Sequence, residues 1–349
     1  MRRIFFSLIA ALLALTLAVV ASAAQKAKSD KKSKPAGRVL KLEELSFTDI
    51  AKIDRVKSIF FLTFGNLEEH GPHLPVGSDY FQAVGLRDGL IARLRSAHPD
   101  YDFVLVPVVP LGECGANDLA LQFDHIGTFA VRFETLRNVA IDLGASIARK
   151  GFQNIFLIHF HGCPMHNIAF NDAAAFVSER YKARMVNITS LLFGEYFFNP
   201  TVMEKHLGKG WEDKLGFEGH AGAAETSANL FLREDLVKAD YGQLRPFVAK
   251  DFAEVLRTHE RTGWQGYWGD PAKASKAMGK DLMDDDVVRA YRLAERALAG
   301  EDLSNLPVYP QSFPLPPGGE ALGQKQLEIY ATQTAAIEAW LKKRPPGKP

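Results

Sequence analysis

The stretch from Glu68 to Asp79 contains the side chains in this sequence that are best suited to hold a metal ion. Glu68, His70 and Asp79 offer carboxylate oxygens and an imidazole nitrogen, a mixture that suits zinc, manganese or iron. Glu68 and His70 are two residues apart, so in extended backbone both face the same cavity. Asp79 has two oxygens and could bridge two ions. A solvated acidic loop is the alternative, but the stretch is stiffened by Gly71, Pro72, Pro75 and Gly77.

The flanking segments predict where this stretch lies. Residues 58–65, Ser-Ile-Phe-Phe-Leu-Thr-Phe-Gly, are apolar and rich in aromatics, which predicts a buried strand. After Asp79, helical spacing is shown by Phe81, Val84, Leu86, Leu90, Ile91 and Leu94. The order is strand, rigid loop, helix. In open α/β sheets, ligands bind at the carboxyl ends of the strands, so the stretch is predicted to lie at that edge.

Strands and helices continue to alternate along the chain. The pattern predicts strands at 103–109, 154–158 and 185–188, and helices at 133–150, ended by Gly151, and at 167–181. A helix is also expected at Pro271, capped by Asp270. Strand–helix–strand units favour parallel pairing. We therefore expect one three-layer α/β/α domain with a mostly parallel central sheet.

The chain ends differ from this central part. A signal peptide is predicted over 1–23, because two arginines, Arg2 and Arg3, precede an apolar run over 4–20 and the small residues Ala21-Ser22-Ala23 follow it. An uncleaved membrane anchor is the alternative. A basic tether is expected over 24–38. The main domain is placed at 39–300, and 301–349 contains a Pro-rich run and a helix over about 322–343. Cleavage implies an exported, periplasmic or secreted protein without a stable membrane span.

Composition restricts the function classes. The 349 residues are 47% hydrophobic and 24% charged, as in ordinary globular proteins. The formal net charge of +1 implies no nucleic-acid partner.

Residues 68–75, Glu-Glu-His-Gly-Pro-His-Leu-Pro, followed by Asp79, resemble the signature of the creatininase (creatinine amidohydrolase) family, which has Gln at the second position. The family's three-layer α/β fold is therefore expected. The resemblance implies that Glu68, His70 and Asp79 bind a two-metal centre.

Two further motifs extend the resemblance. His161-Gly162 matches a His-Gly at a strand end, and residues 220–227, His-Ala-Gly-Ala-Ala-Glu-Thr-Ser, match the family's second signature. The resemblance implies that Glu68, Asp79 and His161 hold one ion. It implies that His70, Asp79 and Glu225 hold the other, while His220 transfers a proton. Helix capping is the alternative for Glu225.

Several positions depart from the family pattern. Glu69 stands at the second position of the first signature, where the family has Gln. Further along, Asp124-His125 are followed by Ile126 in place of the family's Pro, and then by Gly127-Thr128. Cys163 stands where some family members have a carboxylate ligand. A Cys114–Cys163 disulfide, a Cys163 metal ligand and two buried thiols remain open.

The expected function is that of an exported amidohydrolase with two divalent ions, zinc first and manganese or iron as alternatives. A two-metal-activated hydroxide would cleave a non-peptide C–N bond in a small or cyclic amide. A homo-oligomer is expected. The alternatives are a peptide-end hydrolase and an exported metal or small-ligand binding protein without turnover. Retention of Asp79 and His220 favours turnover over binding alone.

Overall fold

Five parallel strands form the middle layer of the protein, in the order β1-β3-β2-β4-β5. The computed structural model describes residues 37–115, 126–216, 218–249, 254, 255, 257, 263–312 and 319–343. The strands are β1 (Arg38–Lys41), β2 (Ser58–Thr63), β3 (Asp102–Leu105), β4 (Asn154–Ile158) and β5 (Arg184–Asn187). Because β2 is central, the loop that follows it has the ends of β3 and β4 on either side.

The helices cover both faces of the sheet. They are α1 (Phe47–Lys52), α2 (Ser78–Ala97), α3 (Phe133–Ala148), α4 (Pro164–Tyr181), α5 (Ile188–Glu195), α6 (Pro200–Leu207), α7 (Trp211–Leu215), α8 (Ala223–Arg233), α9 (Lys276–Leu298) and α10 (Gly319–Lys342). Short 3-10 turns occupy Leu42–Glu44, Glu234–Leu236, Ala239–Gln243 and Pro271–Lys273. Within the described ranges, none of these helices has the length and apolarity needed to cross a membrane.

The side chains of β2 point alternately into two separate cores. Phe60 and Leu62 pack in one core with residues of α3 and α4. Ile59 and Phe61 pack on the opposite face with residues of α2 and α9. This alternation is expected of a strand that is buried on both faces. The predicted three-layer α/β/α fold with a parallel sheet is confirmed.

Some predicted boundaries are wrong for local reasons. Pro271 begins only the 3-10 turn Pro271–Lys273, although Asp270 does cap it by accepting from the Ala272 N–H. The next helix begins at Lys276, after its own cap Ser275. α4 begins at Pro164, three residues earlier than predicted, because proline fits the first turn of a helix. β3 ends at Leu105, short of Pro107.

Helix α10 contributes directly to the main core. It begins at Gly319 rather than near 322, and its Tyr330 is fully buried in the core that contains α3 and α4. The domain boundary placed near 300 remains a prediction. The signal peptide, most of the tether, and Asp124-His125 lie outside the described residues.

Candidate metal centre

Four segments that are distant in sequence meet at the carboxyl edge of the sheet. The loop after β2 brings Glu68 and His70, and the segment after β4 brings His161. Asp79 lies in the first turn of α2 and Glu225 in the first turn of α8. All five side chains are buried. The structure therefore brings together every residue that the sequence placed at the metal centre.

One group of donor atoms is formed by His161 and two carboxylates that lie beside its Nδ1 atom. Its Nδ1 lies 2.9 Å from Glu68 Oε2 and 3.1 Å from Asp79 Oδ2. We call Glu68, Asp79 and His161 the first trio. Their donor atoms all lie within 4.8 Å of one another, close enough to surround one ion.

A second group of donor atoms is formed by His70 and two carboxylates that lie beside its Nε2 atom. Its Nε2 lies 3.4 Å from Asp79 Oδ1 and 3.6 Å from Glu225 Oε2. We call His70, Asp79 and Glu225 the second trio, whose donor atoms also lie within 4.8 Å of one another. Asp79 thus turns one oxygen toward each histidine, which is the geometry of a bridging carboxylate.

The remaining ring nitrogen of each histidine is fixed by a backbone carbonyl. His70 Nδ1–H donates to the Glu68 carbonyl at 3.0 Å, and His161 Nε2–H donates to the Glu113 carbonyl at 3.1 Å. Metal-binding histidines usually hold their second nitrogen in this way. Within the described part of the chain, the buried His70 Nε2 has no hydrogen-bond partner. The donor set therefore fits two metal ions.

The electrostatic potential of the cluster favours cations. Burial disfavours the charged ring of His70, but Asp79, Glu225 and Glu68 outweigh burial and raise its pKa to about 10. Burial likewise opposes the charged form of His161, but Glu68 and Asp79 raise its pKa well above the usual range. Two divalent ions would balance these carboxylates directly.

Glu225 also accepts a backbone hydrogen bond beside the start of α8, although the donor is Ala221 rather than the cap residue Gly222. Its Oε2 accepts from the backbone N–H of Ala221 at 2.6 Å, just before α8. Burial raises the pKa of Glu225, because it outweighs the opposing charges of His70 and His220. The two roles are compatible, since a carboxylate has two oxygens with several lone pairs.

His220 lies beside both trios. Its Nε2–H donates to the Glu69 carbonyl at 2.9 Å, and its Nδ1 lies 3.8 Å from Glu68 Oε1. Burial and the charge of His70 oppose protonation, but Glu68 and Glu69 raise the pKa of His220 above its ordinary value. Glu68, His70 and His220 also form a third group of donors within 4.8 Å. The geometry therefore allows His220 to be a proton donor or a ligand.

Two residues that sequence reasoning missed hold the turn that bears His220. Glu218 accepts from the backbone N–H groups of Ala223 at 2.5 Å and Asp270 at 2.9 Å. His73 Nε2–H donates to Thr226 Oγ1 at 2.8 Å, which joins the loop after β2 to α8. The second histidine of the His-Gly-Pro-His motif was a visible signal for His73. No local pattern marks Glu218.

A disulfide joins Cys114 to Cys163, two residues after His161. The sequence left open a disulfide, a Cys163 metal ligand and two buried thiols. The structure has the disulfide, so Cys163 is not a thiolate ligand. The neighbouring Glu113 is fully buried and was also missed. Two of its side-chain partners, Gln326 and Tyr330, lie more than 200 residues further along the chain.

A parallel α/β sheet with carboxylate and imidazole donors buried at its carboxyl edge is typical of a metal-dependent hydrolase. The chain belongs to the creatininase family, since the family model, described as creatinine amidohydrolase, matches residues 43–294.

Similar proteins fall into two groups. The mycofactocin precursor peptide peptidase of Mycobacterium ulcerans is 24% identical over 268 residues, covering 73% of this chain and 93% of that protein. The protein of the same name from Mycolicibacterium smegmatis is 26% identical, covering 64% and 78%. Among solved structures, a creatininase superposes with a TM-score of 0.56 at 17% identity, covering 74% of this chain and 98% of the other. A mutant creatininase described as Zn-Zn type gives 0.55 at 18%, covering 74% and 98%.

Proposed function

We propose that this protein is a metal-dependent hydrolase that cleaves an amide bond at one end of a peptide. The observation that carries the proposal is the pair of buried trios that share Asp79. Two divalent ions held there would supply a nucleophile at neutral pH and polarise the amide carbonyl. Zinc is the first choice, with manganese or iron as alternatives, because the donors are oxygen and imidazole nitrogen.

His220 is proposed to donate a proton to the leaving nitrogen. Because Nε2–H is occupied by the Glu69 carbonyl, Nδ1 is the atom that can carry a transferable proton. Nδ1 points into the cluster, toward Glu68. Glu68 and Glu69 raise the pKa of the ring above its ordinary value, which favours the protonated form that a general acid needs.

The choice of a peptide end as substrate is supported by the two relatives named mycofactocin precursor peptide peptidase. It replaces the non-peptide amide as the leading substrate class. Small and cyclic amides become the second class to be tested.

The test joins metal analysis to a substrate panel. The purified protein is analysed for bound metal and incubated with short peptides that have free or blocked ends, and with small and cyclic amides. We expect two ions per chain and release of a terminal fragment from a peptide with a free end. Activity should disappear with a chelator and return with zinc or manganese.

A matched pair of variants tests the bridging carboxylate. Asp79→Ala should empty both trios, because Asp79 belongs to each of them. Asp88→Ala, an exposed change on the same helix, should keep both ions and full activity. Two ions per chain in Asp79→Ala would exclude the bridging role. A wild-type protein that holds two ions and cleaves nothing in the panel would instead be a metal or small-ligand binding protein.

We also propose that the protein is exported and forms a homo-oligomer. Export is supported by Arg2, Arg3, the apolar run over 4–20 and the small residues that follow. Light scattering on the purified protein should give the mass of more than one chain, and a monomer mass would refute the oligomer.

A further inference from the structure

We infer that helix α10 positions His161 in the first trio, acting through Glu113. The inference rests on the proposed function only for metal binding and does not depend on which bond is cleaved. The family model matches residues 43–294, whereas α10 spans Gly319–Lys342. The positioning element therefore lies beyond the segment that the chain shares with the family model.

The first link joins α10 to the side chain of Glu113. Tyr330 O–H and Gln326 Nε2–H both donate to Glu113 Oε1, at 2.6 and 2.7 Å. Gln326 and Tyr330 are four residues apart and therefore lie on the same face of the helix. A buried carboxyl group is costly unless its oxygens take part in hydrogen bonds. These two donors therefore tie the fully buried Glu113 to α10.

The second link joins the backbone of Glu113 to the ring of His161. The Glu113 carbonyl accepts His161 Nε2–H at 3.1 Å, and the Glu113 N–H donates to His166 Nδ1 at 3.1 Å. Because Nε2 is fixed in this way, Nδ1 faces Glu68 and Asp79. The position of the carbonyl thus sets the direction of the donor nitrogen.

The side chains that α10 buries argue against a purely covering role. In the described part of this helix, Gln326 and Tyr330 are the buried residues. Leu327 and Ile329 pack partly buried against the main core, as expected of a helix that covers an apolar surface. The two buried side chains, however, carry polar groups. Gln326 through its amide and Tyr330 through its hydroxyl both donate a hydrogen bond to the same carboxyl oxygen, Glu113 Oε1.

Disconnecting α10 from Glu113 should weaken the first trio and leave the second unchanged. The second trio shares Asp79 with the first but does not contain His161, and its own histidine, His70, is held by the Glu68 carbonyl rather than by Glu113. Removing the outer partner of a metal-binding histidine typically lowers metal affinity 10–100-fold. We expect about a tenfold loss of zinc affinity for Gln326→Leu combined with Tyr330→Phe, since these residues act through one intermediate residue.

The two trios can be measured separately. In a Glu225→Gln background only the first trio is intact, and in a His161→Ala background only the second. Zinc affinity is determined in each background by competition with a chromophoric chelator. The combined change should lower affinity in the Glu225→Gln background and alter it less than about twofold in the other. Gln324→Leu, the same chemical change at an exposed position of α10, is the control and should have no effect.

The outcomes are distinct. An equal loss in both backgrounds, or no loss in either, would overturn the inference, because α10 would then only stabilise the fold. If the combined variant does not fold, Tyr330→Phe, which keeps the buried ring, should still show a smaller loss confined to the first trio. A wild-type protein that binds two ions but cleaves nothing would refute the hydrolase and leave this inference standing. A protein that binds no ion would refute both.

Discussion

Replacing the buried Glu218 by glutamine should flatten the dependence of folding stability on pH. The residue is 3% exposed, and its carboxylate accepts the backbone N–H groups of Ala223 and Asp270. Burial outweighs these hydrogen bonds and raises the pKa of Glu218 to about 8, from an ordinary value of 4.5. Glutamine is similar in shape and does not titrate. Its amide nitrogen cannot accept one of the two backbone N–H groups, but that loss is the same at every pH, so the pH dependence isolates the titration.

Folding stability falls as the pH rises, because the folded state holds a proton that the unfolded chain loses. Between pH 4.5 and 8 the folded protein keeps a proton on Glu218 that the unfolded chain has lost. The stabilising contribution is therefore fully present below pH 4.5 and is lost as the pH rises through 8. The pKa difference of 8 − 4.5 = 3.5 corresponds to about 5 kcal/mol over the full range. Between pH 5 and pH 8 the expected loss is about 3.5 kcal/mol.

Urea unfolding of the metal-free protein, with chelator present, measures this effect. The free energy of unfolding is determined at pH 5 and pH 8 for the wild type, for Glu218→Gln and for Glu204→Gln, an exposed glutamate changed in the same way. The decrease on going from pH 5 to pH 8 should be about 3.5 kcal/mol smaller in Glu218→Gln than in the wild type. The control should behave as the wild type. An unchanged decrease in Glu218→Gln would show that Glu218 is ionised in the fold and would refute the reasoning.

Three further predictions concern the ligands, the acid and the crosslink. His70→Ala should keep the ion of the first trio and lose the other, which elemental analysis will show as one ion per chain; none would refute the two-trio assignment. His220→Asn should keep both ions and lose kcat by about 10²–10⁴-fold, the usual contribution of a positioned acid. Parallel loss of metal and activity would make His220 a ligand. Replacing Cys114 and Cys163 by alanine should lower the free energy of unfolding by about 2–4 kcal/mol, because the crosslink closes a loop with a sequence separation of 49. An unchanged urea midpoint would contradict that contribution.

Export has its own test at the N-terminus. The chain purified from its native source should begin near Ala24, because the small residues at Ala21 and Ala23 favour cleavage after them. Mass spectrometry that finds Met1 retained would refute this prediction.

The sequence predicted the centre of the fold because its signals there are local. The apolar run over 58–65 identified β2, and the glycines and prolines after it predicted the irregular loop that carries Glu68 and His70. Parallel strands end at a common edge, so the position of His161 at the end of β4 was enough to place it near that loop. The ligand groups themselves came from the family resemblance rather than from periodicity.

The parts that sequence reasoning missed depend on contacts between distant residues. Glu113 lies in an irregular segment, and its partner Tyr330 is separated from it by 217 positions. A single sequence contains no signal for such a pairing. The 3-10 turn at Pro271 is a different case, because a capping residue followed by proline indicates where a turn starts but not how long it continues.

The position of α10 after every metal donor in the sequence has a consequence for protein synthesis. Domains form progressively from the N-terminus as a chain is made, and every donor of both trios lies between Glu68 and Glu225. If α10 positions His161 as inferred, a nascent chain would contain the complete donor set before it could orient the first trio. A product truncated before Gln326 would then carry all the donors of this family member and still load metal poorly. Full metal loading would then require synthesis to have passed Tyr330.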